Sequence, residues 1–194
     1  MSPFDLILDL PELLQPTFTR VATFADTHVT FGETQVGGNG TQAATPGTDI
    51  AFDRVQSTTI HNEDGSAAHL AADVTGFIAD SFPAVARERL AKRIGLAFTG
   101  PAKDALKGVL TRMESRDEEL GWERAVWEYR LLCAYPNADL PGHFYTLVTT
   151  IRYTHEVKTE PGFLGLGRGS VKHSYSADVV AMRLAVEQGF GEAL

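Results

Sequence analysis

Residues 124–135 read RAVWEYRLLCAY, and their alternation decides the fold class. The odd positions are Ala125, Trp127, Tyr129, Leu131, Cys133 and Tyr135; the even ones include Arg124, Glu128 and Arg130. A period of two with one apolar face predicts a β-strand. Pro136-Asn137-Ala138-Asp139 with Pro141-Gly142 supplies a turn. The alternation then resumes in HFYTLVTTIRYTHEVK, residues 143–158. Tyr145, Leu147, Ile151, Tyr153 and Val157 share one face. Thr146, Thr150, Arg152, Thr154, Glu156 and Lys158 share the other, with Val148 as the exception. Fully extended, this run would reach ~50 Å at ~3.3 Å per residue, far beyond the usual strand of ~5–6 residues. A glycine-rich connection, 161–169, leads to a third run, Lys172 to Glu187. It aligns Val180, Met182, Leu184 and Val186, although its Ala and Met content also suits a helix.

Upstream of these strands the pattern is helical. Phe18, Val21, Ala22, Ala25 and Val29 recur at helical spacing after Pro16-Thr17. Gly37 to Gly47 is a loop by composition, and Ile50 to Ile60 fits either helix or strand. After the turn signal Asn62 to Ser66, Leu70, Val74, Phe77, Ile78 and Phe82 form an apolar stripe that predicts a helix over 66–82. Ser81 is the expected cap of the next helix, 83–98, with Pro83 in its first turn. That helix carries Val85, Leu90, Ile94 and Phe98 inside a basic set, Arg87, Arg89, Lys92 and Arg93. A further helix is expected around Leu106, Val109, Leu110 and Met113. The reading is an α/β protein of the segregated α+β type: one domain over 1–194, a helical half at about 17–113 and long strands at about 122–188.

Composition narrows the function classes. With 43% hydrophobic and 22% charged residues among 194, the chain is globular and long enough to bury a core. One cysteine excludes a disulfide framework or a CxxC site. A net charge of −8 argues against nucleic acid as a partner and against attraction to anionic membranes. The longest apolar-leaning uncharged stretch, Leu140 to Ile151, falls short of the ~20 residues of a spanning helix. The N-terminal MSPFDLILDLPELL lacks a basic n-region, so no signal peptide is recognisable.

No catalytic constellation emerges. The histidines His28, His61, His69, His143, His155 and His173 form no metal-ligand motif. Glu118 and Glu119 read as a solvated bend, and Cys133 as a buried thiol on its strand's apolar face. Neither glycine-rich loop is a phosphate-binding loop, because no Lys-Ser/Thr follows the first and the second does not match GxGxxG. The aromatics Trp122, Trp127, Tyr129, Phe144, Tyr145 and Tyr153 read as sheet core, with membrane-interface anchoring as the alternative.

At Trp127 to Leu132 (WEYRLL), at Phe144 to Ile151 (FYTLVTTI), at Gly165-Leu166 and at Val186 to Phe190 (VEQGF), the chain resembles the Cyt-like pore-forming cytolysins. This is the family of volvatoxin and the Cyt δ-endotoxins. Weaker likeness lies in Ile50 to Asp53 and Ser57 to Ile60. The resemblance implies a three-layer sandwich, a mostly antiparallel sheet wrapped by helical hairpins. It implies a monomer or dimer in solution that binds lipid directly, oligomerises and permeabilises the bilayer. No catalysis and no cofactor or metal are implied. The family's C-terminal strand is lysine-rich, whereas Val179 to Phe190 offers only Arg183, so a polyanion contact there does not carry over.

Two sets of membrane-contact residues follow. If helices detach, Leu70, Val74, Phe77, Ile78, Leu90, Ile94 and Phe98 enter the lipid interface and Arg87, Arg89, Lys92 and Arg93 meet headgroups. If strands form a barrel, Tyr145, Leu147, Ile151 and Tyr153 face lipid. The charge favours zwitterionic lipid as partner. The expected setting is release by an unidentified route and action at target-cell membranes. A non-lytic lipid- or carbohydrate-binding protein on the same scaffold is the alternative.

Overall fold

The computed structural model describes residues 4–28, 50–62, 67–99, 123–160 and 170–191. The expected helix around Leu106 to Met113, both glycine-rich loops, Val29, Glu118, Glu119 and Trp122 lie outside them. So do the side chains of Val85 and Phe98.

The elements in chain order are β1 (Asp5–Leu8), a 3-10 turn (Glu12–Leu14), α1 (Gln15–His28), β2 (Ile50–Asn62), α2 (Ala67–Asp80), α3 (Ala84–Thr99), β3 (Glu123–Pro136), β4 (His143–Glu160) and β5 (Ser170–Glu187). The five strands form one sheet in the order β1-β3-β4-β5-β2. β1 runs parallel to β3, with Asp5 opposite Leu131 and Leu8 opposite Ala134. The other pairings are antiparallel. Across β3 and β4, Asn137 N–H donates to the His143 carbonyl, Arg152 pairs with Glu128 and Glu156 with Arg124. The partner numbers run in opposite directions at constant register, as antiparallel strands require. The same opposition holds across β4 and β5, through Gly142 with Gln188 and His155 with His173. It holds across β5 and β2 through Arg183 with Asp53 and Asp178 with Thr59. The fold is thus of the α+β type, with a mixed, mostly antiparallel sheet.

Two parts of the sequence reading change. The ambiguous segment from Ile50 is strand β2, and a short strand, β1, sits in the acidic N-terminal run. Both lie upstream of the long strands yet belong to the sheet. β5 settles the ambiguity of the third run as a strand of 18 residues, as long as β4.

The chain folds as two compact units. The first comprises Met1–Ser57, Arg130–Ile151 and Val180–Leu194. Its core joins Leu14, Phe18, Val21 and Ala25 to Leu132, Ala134, Phe144, Val148, Met182, Leu184, Val186 and Phe190. The first four stand at i, i+4, i+7 and i+11, one face of a helix. Val148 is therefore no exception: α1 lies on the even-numbered face of β4 and makes that face core. The same cover explains why Arg130, Thr146 and Thr150, expected on a polar face, are buried. The Arg130 guanidinium donates to Asp26 Oδ1 at 2.7 Å and to the Ala25 carbonyl at 3.4 Å, and sits 3.8 Å from the Phe4 ring centroid. It thus serves the Ala25 carbonyl in the last turn of α1, where carbonyls lack a partner within the helix. At the other end Arg20 donates to the Phe190 carbonyl and, at 3.0 Å, to Thr17 Oγ1. Phe24 meets Phe190 edge-on.

The second unit comprises Thr58–Tyr129 and Arg152–Val179. Here α2 and α3 pack on each other, burying Leu70, Val74, Ile78, Phe82, Ala86, Leu90 and Ile94. Each large apolar side chain so buried contributes about 1.5–3 kcal/mol. The joint between the helices differs from the expected cap. Ser81 Oγ donates back to the Phe77 carbonyl at 3.3 Å and so closes α2. The Pro83 carbonyl accepts from Ala86 N–H and Arg87 N–H, so proline stands at the N-cap, where its missing donor costs nothing. In the sheet segments of this unit Tyr153, His155, Val157, Tyr175, Ala177 and Val179 are buried. The opposite face carries the ion pairs Arg152–Glu128 (2.8 Å) and Arg124–Glu156 (3.5 Å), which in exposed positions contribute up to about 1 kcal/mol each.

Candidate functional site

The second unit holds all the helix candidates. Leu70, Val74, Ile78, Leu90 and Ile94 are completely buried, and Phe77 is half-buried. The cations Arg87, Arg89, Lys92 and Arg93 are exposed. On α3 they flank the buried positions Leu90 and Ile94, an arrangement in which long cationic side chains keep their charge in water beside an apolar stripe. Arg87 lies 3.4 Å from Asp80, a half-exposed pair of small energetic weight. Among the described residues no helix is long and apolar enough to cross a membrane.

The strand candidates share the odd-numbered face of β4. Leu147 and Ile151 in the first unit and Tyr153 in the second are buried, whereas Tyr145 is half-buried. Tyr145 belongs to a cluster that the sequence alone does not reveal. Its hydroxyl accepts from Asn137 Nδ2 at 3.2 Å, its ring centroid lies 5.4 Å from that of Tyr135, and the Arg183 guanidinium carbon lies 5.2 Å from its ring. Arg183 is ion-paired with Asp53 of β2. Arg183 stands out in the sequence as the one cation of its segment, but its partner becomes visible only once β2 is known to pair with β5.

Among the described residues, Thr146 Oγ1, Thr149 Oγ1 and the Tyr153 phenol are enclosed without a hydrogen-bond partner. An unmet buried polar group costs about 1–3 kcal/mol. Burial pushes the Tyr135 phenol up to about 12, partly offset by Arg183, and drives Tyr153 and the buried Cys133 thiol further upward. The folded molecule holds protons that the unfolded chain releases from about pH 10 for tyrosine. Stability is therefore fully present below that pH and is lost as pH rises toward about 12. Thermal unfolding from pH 9 to 12 is expected to show a falling Tm, with Tyr135→Phe flattening the fall. An unchanged slope in that variant would place Tyr135 in contact with water.

The arrangement offers little chemistry. No group of three or more His, Cys, Asp or Glu able to hold a metal occurs among the described residues. An open polar groove of about 400 Å³ is lined by Pro141, Gly142, His143, Glu187, Gln188 and Gly189. Its Gln188 N–H donates to the Gly142 carbonyl at 2.7 Å, closing the β3–β4 turn onto the end of β5. The left-handed backbone at Gly142 (φ 81°) suits glycine.

No family model and no curated protein matches the chain. Solved structures do. One, a δ-endotoxin, superposes with a TM-score of 0.56 at 10% identity, over 97% of this chain and 82% of that one. Another, the activated Cyt2Ba monomer from Bacillus thuringiensis subsp. israelensis, gives 0.57 at 11% identity, over 96% and 98%. The likeness spans nearly the whole of this chain, and at this identity it establishes the fold.

Proposed function

We propose that this chain, which has the fold of the Cyt-type δ-endotoxins, is a water-soluble, non-enzymatic cytolysin acting as one domain over 1–194. It binds membrane lipid directly, assembles with further copies of itself and permeabilises the bilayer. The observation that carries this reading is the presence of two long strands, β4 and β5 at 18 residues each, beside an α2–α3 hairpin whose helices pack on each other. A barrel strand crosses a bilayer with ~9–11 residues, so either strand is long enough. The buried hydroxyls of Thr146 and Thr149 and of Tyr153 support the same reading, since rearrangement on a membrane would bring them to water or headgroups.

The acidic balance makes zwitterionic lipid the expected target, with Arg87, Arg89, Lys92 and Arg93 as local headgroup contacts. Vesicles of pure phosphatidylcholine loaded with a self-quenched dye are expected to leak at sub-stoichiometric protein. Binding without leakage, across lipid composition and pH, would leave a non-lytic lipid-binding protein; no binding at all would remove the membrane from the function. The inserting element is read by single cysteines at Ile78 and at Leu147 in a Cys133→Ser background, each carrying an environment-sensitive dye. A lipid-dependent blue shift at Ile78 alone identifies the helices. A shift that alternates from residue 145 to 153 identifies the strands.

A further inference from the structure

We propose that β3 carries a self-complementary open edge, and that two copies of this chain join there as an antiparallel β3–β3 pair whose two-fold axis passes through Val126. The pair forms in solution, without lipid, and does not depend on the cytolysin reading.

The edge follows from the backbone. β3 lies between β1 and β4. Its register on β4 is unbroken: Asn137 N–H donates to the His143 carbonyl, Glu128 pairs with Arg152 at 2.8 Å and Arg124 with Glu156 at 3.5 Å. In an antiparallel ladder every second residue turns its N–H and C=O to the same neighbour. Odd-numbered residues of β3 therefore face β4 with these groups, and even-numbered ones face outward. The Ala134 carbonyl agrees, since it accepts from Asp9 N–H at 2.9 Å on the outer side. β1 covers that side only from Leu131 to Ala134. Upstream, the outward groups of Arg124, Val126 and Glu128 meet no strand among the described residues. Such an edge is a template for a further strand.

The strand that fits is the same edge of a second copy. A two-fold axis through residue 126 sets Arg124 opposite Glu128 of the other copy, and Glu128 opposite its Arg124. All three even positions then meet even positions, so the hydrogen-bonding directions match along with the charges. Val126, 46% exposed, meets its own counterpart. On the other face Ala125 falls opposite Trp127, small against large, and both are half-buried. The ion pairs to β4 extend the charge pattern into two rows across the joined sheet, each reading Glu156, Arg124, Glu128, Arg152 and alternating in sign throughout. The paired segment, 123–129, stops short of Leu131 on both copies, so each keeps its β1. Because the contact is isologous, it closes at two copies.

The test uses the full chain without lipid. Seven residues of edge make a small interface, so sedimentation is expected to show a monomer–dimer equilibrium at about 10–100 μM. Exposed charges are screened, so the dimer should weaken several-fold from about 50 to about 500 mM salt. Arg124→Glu sets carboxylate against carboxylate at both ends of the pair, and Glu128→Arg sets guanidinium against guanidinium. Each alone is expected to weaken dimerisation at least about tenfold. An equimolar mixture of the two variants is expected to recover to within about threefold of wild type, since each copy then meets the opposite charge. Lost stability would not be repaired by mixing.

Cross-linking reads the register. Opposed Cα atoms of a hydrogen-bonded pair stand about 5.5 Å apart, within disulfide reach. Val126→Cys is therefore expected to cross-link on mild oxidation. Arg124→Cys is not, because its counterpart lies about 13 Å along the strand. Cys133 is buried and stays in place, with the wild type as control. A chain that remains monomeric at about 100 μM overturns the pair. So do charge variants that dimerise like wild type, a mixture that does not recover, or cross-linking at 124 in place of 126. If circular dichroism shows that the charge variants do not fold, the two cysteine variants decide. No readout here uses leakage, so failure of the pair and failure of the cytolysin reading are separate results.

Discussion

Replacing Phe18 with alanine is expected to cost the fold about 3–5 kcal/mol and to lower Tm by roughly 6–20 °C. Phe18 is 2% exposed, at the centre of the cluster that joins α1 to β3, β4 and β5. Truncation removes the transfer free energy of the ring and leaves a void. The void cannot close by sliding the helix, because α1 is held at both ends: Arg20 is bonded to the Phe190 carbonyl and Arg130 to Asp26 and the Ala25 carbonyl. Circular dichroism through the thermal transition measures the loss. A cost below about 1 kcal/mol would mean that α1 collapses onto the sheet more freely than its two anchors permit.

Leu90→Ala is expected to act in two opposite directions. In solution it should destabilise by about 2–5 kcal/mol, because Leu90 is completely buried where α2 and α3 pack together. On vesicles it should raise the initial leakage rate several-fold, if leaving the soluble packing limits permeabilisation. The void weakens the soluble state, whereas in a lipid interface an alanine at this position loses only its own transfer free energy, about 2 kcal/mol or less. Phe18→Ala supplies the contrast, since its cluster contains no residue of the hairpin. If both variants raise leakage equally, general instability is the cause and the hairpin has no special part. If Leu90→Ala lowers leakage at a temperature where it remains folded, Leu90 acts in the membrane-bound state and not as a restraint.

Much of this was legible in the sequence, and what was not has a common cause. Strands β3 and β4 announced themselves through alternation, and the α2 and α3 stripes through helical spacing, because each signal is local. Leu70, Val74, Ile78, Leu90 and Ile94 were picked out by spacing alone, and all are buried. The misread residues depend on which element covers which face. Val148 looked misplaced, and Arg130 was expected on an open polar face, until α1 was set on the even face of the sheet. β1 is four residues long and begins on an aspartate, too short for a period to show. Ser81 has the chemistry of an N-cap, but the preceding turn claimed its hydroxyl first. The histidine pair is the extreme case. His155 and His173 are 18 positions apart and neither lies in a motif; only antiparallel registration of β4 on β5 brings their rings together.

The sheet order has a consequence for how the molecule comes into being. β1 pairs with β3, so Asp5 must wait for Leu131, more than half the chain later. β2 pairs with β5, so Asp53 must wait for Arg183. Both edges of the sheet are thus closed by contacts of long sequence separation, the kind that slows folding. A ribosome releases the first two strands long before their neighbours exist, and the outer frame is completed only when the last strand emerges. The protein therefore cannot mature piece by piece during synthesis. Its assembly waits for β5, and a chain interrupted before β5 has no partner for β2.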